Sequence, residues 1–154
     1  MKIKLDDTDK TILRILQENG KLTTKEIAAQ LHLTVTPVYE RIKRLEKNGA
    51  INRYVALVNG DAVGIPMTAF CNVLLKEHSK EFLKKFEKDI TKLKEVISCY
   101  HIAGNFDYLL KIVVKDMTEY QDFIMNKLAA LDNIGNVQSS FVMTEVKRST
   151  AIPI

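Results

Sequence analysis

Thr23-Thr24-Lys25-Glu26-Ile27-Ala28-Ala29-Gln30-Leu31-His32-Leu33-Thr34-Val35-Thr36-Pro37-Val38-Tyr39-Glu40-Arg41-Ile42-Lys43-Arg44-Leu45-Glu46-Lys47-Asn48-Gly49 reads as two short helices on a tight turn. Thr23 and Glu26 have the spacing of a capping box: the hydroxyl accepts the Glu26 N–H and the carboxylate reaches back to the Thr23 N–H. Ile27, Ala28 and Leu31 then recur at helical spacing, so the first helix buries one stripe. His32-Leu33 is a brief connection and Thr34 is expected to cap the second helix. Pro37 falls in its first turn, where the missing N–H would have no intrahelical partner. Asn48-Gly49 ends it, with Gly49 free to take a left-handed cap.

The second helix shows which way it faces. At about 100° per residue, Val35, Val38, Ile42 and Leu45 form one narrow apolar stripe. Thr36, Glu40, Lys43, Arg44 and Lys47 crowd the opposite side, flanked by Pro37 and Tyr39. Arg41 lies beside the stripe and reads as a structural or backbone-pairing residue. Two helices at a steep angle, the second with a basic outer face and hydroxyls at its start, form a helix-turn-helix. Such hydroxyls suit base edges or phosphates, and lysines and arginines further along suit phosphates. The candidate contacts to double-stranded DNA are therefore Thr34, Thr36, Pro37, Tyr39, Glu40, Lys43, Arg44 and Lys47. Glu40 has an alternative role, an i,i+4 pair with Arg44.

The charge supports this assignment. The chain has 154 residues and a formal net charge of +4. Residues 1–60 hold eleven Lys/Arg against seven Asp/Glu, and residues 61–154 are balanced, so the whole excess lies with the helix-turn-helix. The imbalance is modest, and tight binding calls for two copies on two half-sites. An apolar fraction of 46% is ordinary for a packed protein. No apolar run of membrane-spanning length occurs, and Met1-Lys2-Ile3-Lys4-Leu5 leads into acidic residues rather than a signal region. A cytoplasmic protein with no membrane partner is expected. Cys71 and Cys99 lack metal spacing and read as buried free thiols.

Upstream, Leu5-Asp6-Asp7-Thr8-Asp9 puts carboxylates at the start of another helix, where the macrodipole favours them. Ile12, Leu13, Ile15 and Leu16 supply its apolar face and Asn19-Gly20 stops it, so three helices share one small core. Downstream, Ile51 to Val58 is rich in β-formers and reads as a wing or exit strand. Arg53 and Tyr54 there could touch a phosphate or could be plain strand surface. Turn signals at Asn59-Gly60-Asp61 and Gly64-Ile65-Pro66 divide the chain into a head (1–60), a linker (61–66) and a second domain (67–154).

In the second domain the periodicity alternates. Strands are expected at Met67 to Leu75, Val96 to Ala103, Phe106 to Val114 and Ile134 to Val146. One helix is capped by Ser79 and carries Phe82, Leu83, Phe86, Ile90 and Leu93. Another is capped by Asp116, with Glu119 completing a capping box and Tyr120, Phe123, Ile124, Leu128 and Leu131 facing inward. This βαββαβ order is the ferredoxin-like arrangement, giving an α+β fold. Two helices cover one face of such a sheet. Phe70 to Leu75 and Tyr108 to Val114 are nevertheless apolar on nearly consecutive residues, where a sheet with one wet face should alternate. The second face needs a cover, supplied by a second copy or by Tyr54 to Val58 or the C-terminal tail folding across it.

A helix-turn-helix ending Arg41-Ile42-Lys43-Arg44-Leu45-Glu46-Lys47-Asn48-Gly49-Ala50-Ile51, followed by a ferredoxin-like domain carrying Gly104-Asn105-Phe106-Asp107-Tyr108, resembles the Lrp/AsnC, or feast/famine, transcription regulators over the whole chain. The resemblance implies a DNA-binding head joined to an amino-acid-sensing domain. It also implies homodimers assembling further, commonly into octamers, and prokaryotic, nucleoid-associated control of amino-acid metabolism genes. The family's glycine-any-any-aspartate turn falls on Gly104 and Asp107, and its last strand also lines the effector cleft. The implied effector residues are Ala103, Gly104, Asn105, Asp107, Val137 and Ser139. Gly104 would allow close approach, N–H groups would take a carboxylate and Asp107 an ammonium; alternatively Asp107 satisfies local N–H groups in a hairpin turn. The sequence departs from the family where Asp132-Asn133 replaces the usual Pro-Gly and where Val137 stands in place of a hydroxyl residue. No cofactor is implied beyond a free amino acid as effector.

An enzyme is the rival reading, since ferredoxin-like domains host catalysis. Yet no Arg occurs between Arg53 and Arg148 to clamp a phosphate. His32, His78 and His101 are scattered, and no nucleophile–base pair or metal spacing is found.

Overall fold

The computed structural model describes residues 4–154, so Met1 to Ile3 of the expected head lie outside the described residues. The chain forms two compact units. One holds the residues up to Leu57 together with Lys147–Ile154, and the other is Val58–Val146. The sequence boundary at residue 60 is thus close, but the C-terminal tail belongs with the head rather than with residues 67–146. Its reason is hydrogen bonding: the Gln17 side chain accepts the Ile152 N–H at 2.6 Å and donates to the Ile152 carbonyl at 3.2 Å. Arg14 Nε donates to the Ile154 main-chain oxygen at 2.8 Å.

The head contains α1 (Asp7–Glu18), α2 (Thr24–Gln30) and α3 (Val35–Lys47). Ile12, Leu13, Ile27, Ala28, Val38, Ile42 and Leu45 form its core. Asp6 and Asp9 build a capping box on α1, and Thr23 and Glu26 build the expected one on α2. The turn into α3 is a Schellman motif: His32 N–H donates to Ala29 O and Leu33 N–H to Ala28 O. His32 takes the left-handed position at φ 53°. A second Schellman motif ends α3, with Gly49 N–H to Glu46 O and Ala50 N–H to Leu45 O, and Gly49 there has φ 74°.

Three expectations for the head are corrected. Thr34 occupies the N-cap of α3, but its hydroxyl makes no cap hydrogen bond. Val35 is 46% exposed, because the first turn of α3 projects past the three-helix core even though its angular position falls on the apolar side. The β-rich run after Gly49 forms no strand, since β-propensity without a hydrogen-bonding partner makes no sheet. Tyr54 there donates instead to Glu46 Oε1 at 3.1 Å.

The second unit begins with a 3₁₀ turn at Asp61–Val63, within the expected linker. The other elements are β1 (Met67–Leu75), α4 (Lys80–Ile90), β2 (Val96–His101), β3 (Tyr108–Val114), α5 (Met117–Asp122) and β4 (Ile134–Phe141). The sheet is antiparallel in the order β2-β3-β1-β4, as the ferredoxin-like reading requires. Cys71 lies opposite Leu110 and Ser139, and Val73 opposite Tyr108 and Val137. Ala69, Cys71, Val73, Leu110, Ile112 and Val114 pack under Phe86, Ile90, Tyr120, Phe123 and Leu128 of the helical layer.

Burial alternates strictly along β3 and over most of β1. The second face carries Phe70, Leu74, Leu109 and Val113, all half-buried. Several details differ from expectation: β2 stops at His101 rather than Ala103, and β3 starts at Tyr108 rather than Phe106. The last strand stops at Phe141 rather than Val146. Glu119 accepts from the Lys115 N–H, not from Asp116. And α5 runs on as a π-helical turn, Phe123–Leu128, which brings Phe123 and Leu128 into the core while Lys127 Nζ reaches Glu95 at 2.5 Å.

Candidate DNA-binding face and effector turn

On α3 the burial of Val38, Ile42 and Leu45 turns the expected contact residues outward. Thr34, Thr36, Pro37, Tyr39, Glu40, Lys43, Arg44 and Lys47 are all exposed. The Thr34 hydroxyl, free of capping, projects at the helix start beside exposed Val35 and Thr36. Lys43 is braced by Glu46 at 2.9 Å and stands 5.8 Å from the centre of the Tyr39 ring; the Glu46 carboxylate raises its pKa. Glu46 also holds Tyr54, whose hydroxyl is pushed up to about 12 by burial and then by that carboxylate. Leu16, Leu22, Ile27, Tyr39, Lys43 and Tyr54 line a head cleft of about 220 Å³.

Arg44 does not pair with Glu40. Its Nη2 reaches both oxygens of Asp9, at 2.7 and 2.5 Å. Arg41 Nη1 bonds Asp9 Oδ1 at 2.8 Å and Asp6 Oδ2 at 2.5 Å, the structural role its position implied. The Asp9 side chain is 1% exposed and that of Arg44 50%, so a buried carboxylate on α1 anchors two arginines of α3. Sequence reading missed this cluster. Its available signal was the pairing of aspartates at the cap and third position of α1 with arginines three apart on α3.

The residues expected to hold an effector fall into two groups. Ala103, Gly104 and Asn105 form an exposed turn with Gly104 at φ 139°. Asp107 closes it: its N–H donates to Val73 O at 2.9 Å and its carbonyl accepts from Ile102 N. Asp107 Oδ2 accepts the Leu75 N–H at 2.7 Å and lies 3.1 Å from His78 Nε2. Sequence reading did not connect His78 with this turn. Val137 and Ser139 are on β4, across β1 from this turn, a distance of roughly two strand spacings or 10 Å. Both point under the helices: Val137 packs on the core and Ser139 accepts from the Tyr120 hydroxyl. A single copy therefore does not bring the two groups into one pocket. Burial pushes the neighbouring Cys71 thiol up to about 11.

Among the described residues no group of His, Cys, Asp and Glu is placed to hold a metal ion, and no helix is long and apolar enough to cross a membrane. A helix-turn-helix head joined to an antiparallel sheet domain defines a two-domain DNA-binding regulator. Residues 5–52 match the winged helix-turn-helix DNA-binding family, and residues 68–152 the Lrp/AsnC ligand binding domain. The chain belongs to the Lrp/AsnC family of transcriptional regulators, not to a family of enzymes. The transcriptional regulator AzlB of Bacillus subtilis is 36% identical, with 100% of this chain and 98% of that protein covered. The leucine-responsive regulatory protein of Escherichia coli is 33% identical over 97% of this chain and 92% of its own. The crystal structure of transcriptional regulator NMB0573 in complex with L-Met, from Neisseria meningitidis, superposes with a TM-score of 0.93 at 35% identity, covering 97% of both chains.

Proposed function

We propose that this regulator binds specific duplex sites controlling amino-acid metabolism genes through the outer face of α3, and that a free amino acid modulates it through the turn at Gly104 and Asp107. The observation that carries the first part is the outward row on α3, where a Thr34 hydroxyl that makes no cap hydrogen bond leads into Thr36, Glu40 and Lys47. Hydroxyls and carboxylates suit base edges, and Lys47 with Lys43 and Arg44 suits phosphates. The second part is supported by the exposed Gly104 turn, by Asp107 Oδ1, which has no protein partner among the described residues, and by the amino acid in the NMB0573 complex. Apolar Phe70, Leu74, Leu109 and Val113 support a homodimer formed sheet to sheet, with octamers built from dimers. Assembly would also let the turn of one copy meet further residues of another.

Selection of bound duplexes from a random pool, followed by thermal shift with the twenty free amino acids and light scattering, tests this reading. A recovered sequence motif, and a stabilising amino acid whose effect disappears in Asp107→Ala, are expected. Recovery of no motif at moderate ionic strength, where non-specific binding is suppressed, would contradict the DNA part; an amino-acid response that survives Asp107→Ala would move the effector site elsewhere.

A further inference from the structure

The Asp9–Arg44 pair goes further than a helix-to-helix tie. Arg44 uses Nη2 for both oxygens of Asp9, while its Nε–H and Nη1 hydrogens have no partner among the described residues. The side chain is half exposed, yet its anchor is buried. A guanidinium is planar and rigid, so holding Nη2 on Asp9 while the Cδ–Nε bond ties the other end narrows the directions open to the remaining donors. Arg41 shares Asp9 and also holds Asp6, so the carboxylate cannot swing away with Arg44. We infer that Asp9 is a positioning residue for DNA binding: from beneath α3 it holds the Arg44 guanidinium with its free N–H groups turned outward as a preset phosphate-binding site. The inference rests on the reading that α3 faces DNA.

The opposite role would also fit an aspartate beside an arginine. As a competing counter-ion, Asp9 would weaken phosphate binding and its removal would strengthen it. The two roles predict opposite signs. As a positioning residue, Asp9 matters only while Arg44 is present.

The test is a double-mutant cycle on the full chain, read as anisotropy of a labelled duplex over a range of salt. Wild type, Arg44→Ala, Asp9→Asn and the double variant are compared, with Asp6→Asn as control, because asparagine keeps the α1 cap. Arg44→Ala should weaken binding several-fold and lower the salt slope by about one per protomer. Asp9→Asn should weaken binding with the slope kept, and the double variant should bind no worse than Arg44→Ala. Asp9→Asn that binds tighter than wild type, or weakens binding equally with and without Arg44, overturns the inference. So does Arg44→Ala with an unchanged slope. Should Asp9→Asn fail to fold, Arg44→Lys decides: weaker binding at an unchanged slope supports a positioned guanidinium, and wild-type binding refutes it. A wild type that ignores DNA at low salt would instead refute the reading of α3.

Discussion

The Asp107 carboxylate accepts the main-chain N–H of Leu75 at 2.7 Å, stitching the turn before β3 to the end of β1. Asp107 is therefore structural whatever else it binds. Asp107→Ala leaves the Leu75 N–H without its partner and should cost about 1–3 kcal/mol in urea unfolding. Asp107→Asn keeps an acceptor and should cost less. If the proposed effector ammonium binds here, Asp107→Asn should still lose the amino-acid response, separating the two roles.

Gly49 ends α3 with φ 74°, and nothing lies within 4 Å of where its Cβ would be. The cost of Gly49→Ala is therefore backbone strain alone, about 1–2 kcal/mol. Thermal unfolding should show that loss, and an unchanged midpoint would mean that the Schellman motif does not form.

Acid should loosen the head. The Asp9 N–H and then the Arg41 guanidinium hold Asp6 below its ordinary value of 3.8. The Thr23 N–H and then its hydroxyl hold Glu26 below 4.5. A carboxylate whose folded pKa is lowered contributes stability that is complete above its unfolded value and is lost as pH falls through the folded one. The melting temperature should thus be flat from pH 7 to about 5 and fall below about 4, with a smaller drop in Asp6→Asn.

Much of this was legible in advance because it depends on neighbours in sequence. The Thr23–Glu26 box, the Gly49 stop, the Ser79 cap and the βαββαβ order each follow from residues a few positions apart. What escaped depends on distant partners or their absence. Val35 shares its angle with buried residues but lies beyond the end of the core, and Ile51 to Val58 has strand composition without a strand beside it. In sequence Asp9 reads as a carboxylate complementing the helix dipole, whereas arginines on α3 settle its role. Gly104 and Asp107 are proposed on the family resemblance, whereas the place of His78 beside them depends on where β1 ends. Ser139 keeps a hydroxyl, but strand register turns it toward Tyr120.

The sheet face bearing Phe70, Leu74, Leu109 and Val113 should fail as an interface when charged. Leu109→Lys is expected to shift light scattering towards monomer with the fold retained by circular dichroism. An oligomer of unchanged mass would show that another surface joins the copies.

The claim that α3 presents its outer face to DNA is tested most directly at Lys47, an exposed residue with no ion-pair partner among the described residues. Binding of the full chain and of Lys47→Ala to a selected duplex and to a scrambled one should be followed against salt. The account predicts that Lys47→Ala weakens both duplexes alike and lowers the salt slope by about one per protomer. Equal affinities and equal slopes for the two proteins would contradict it.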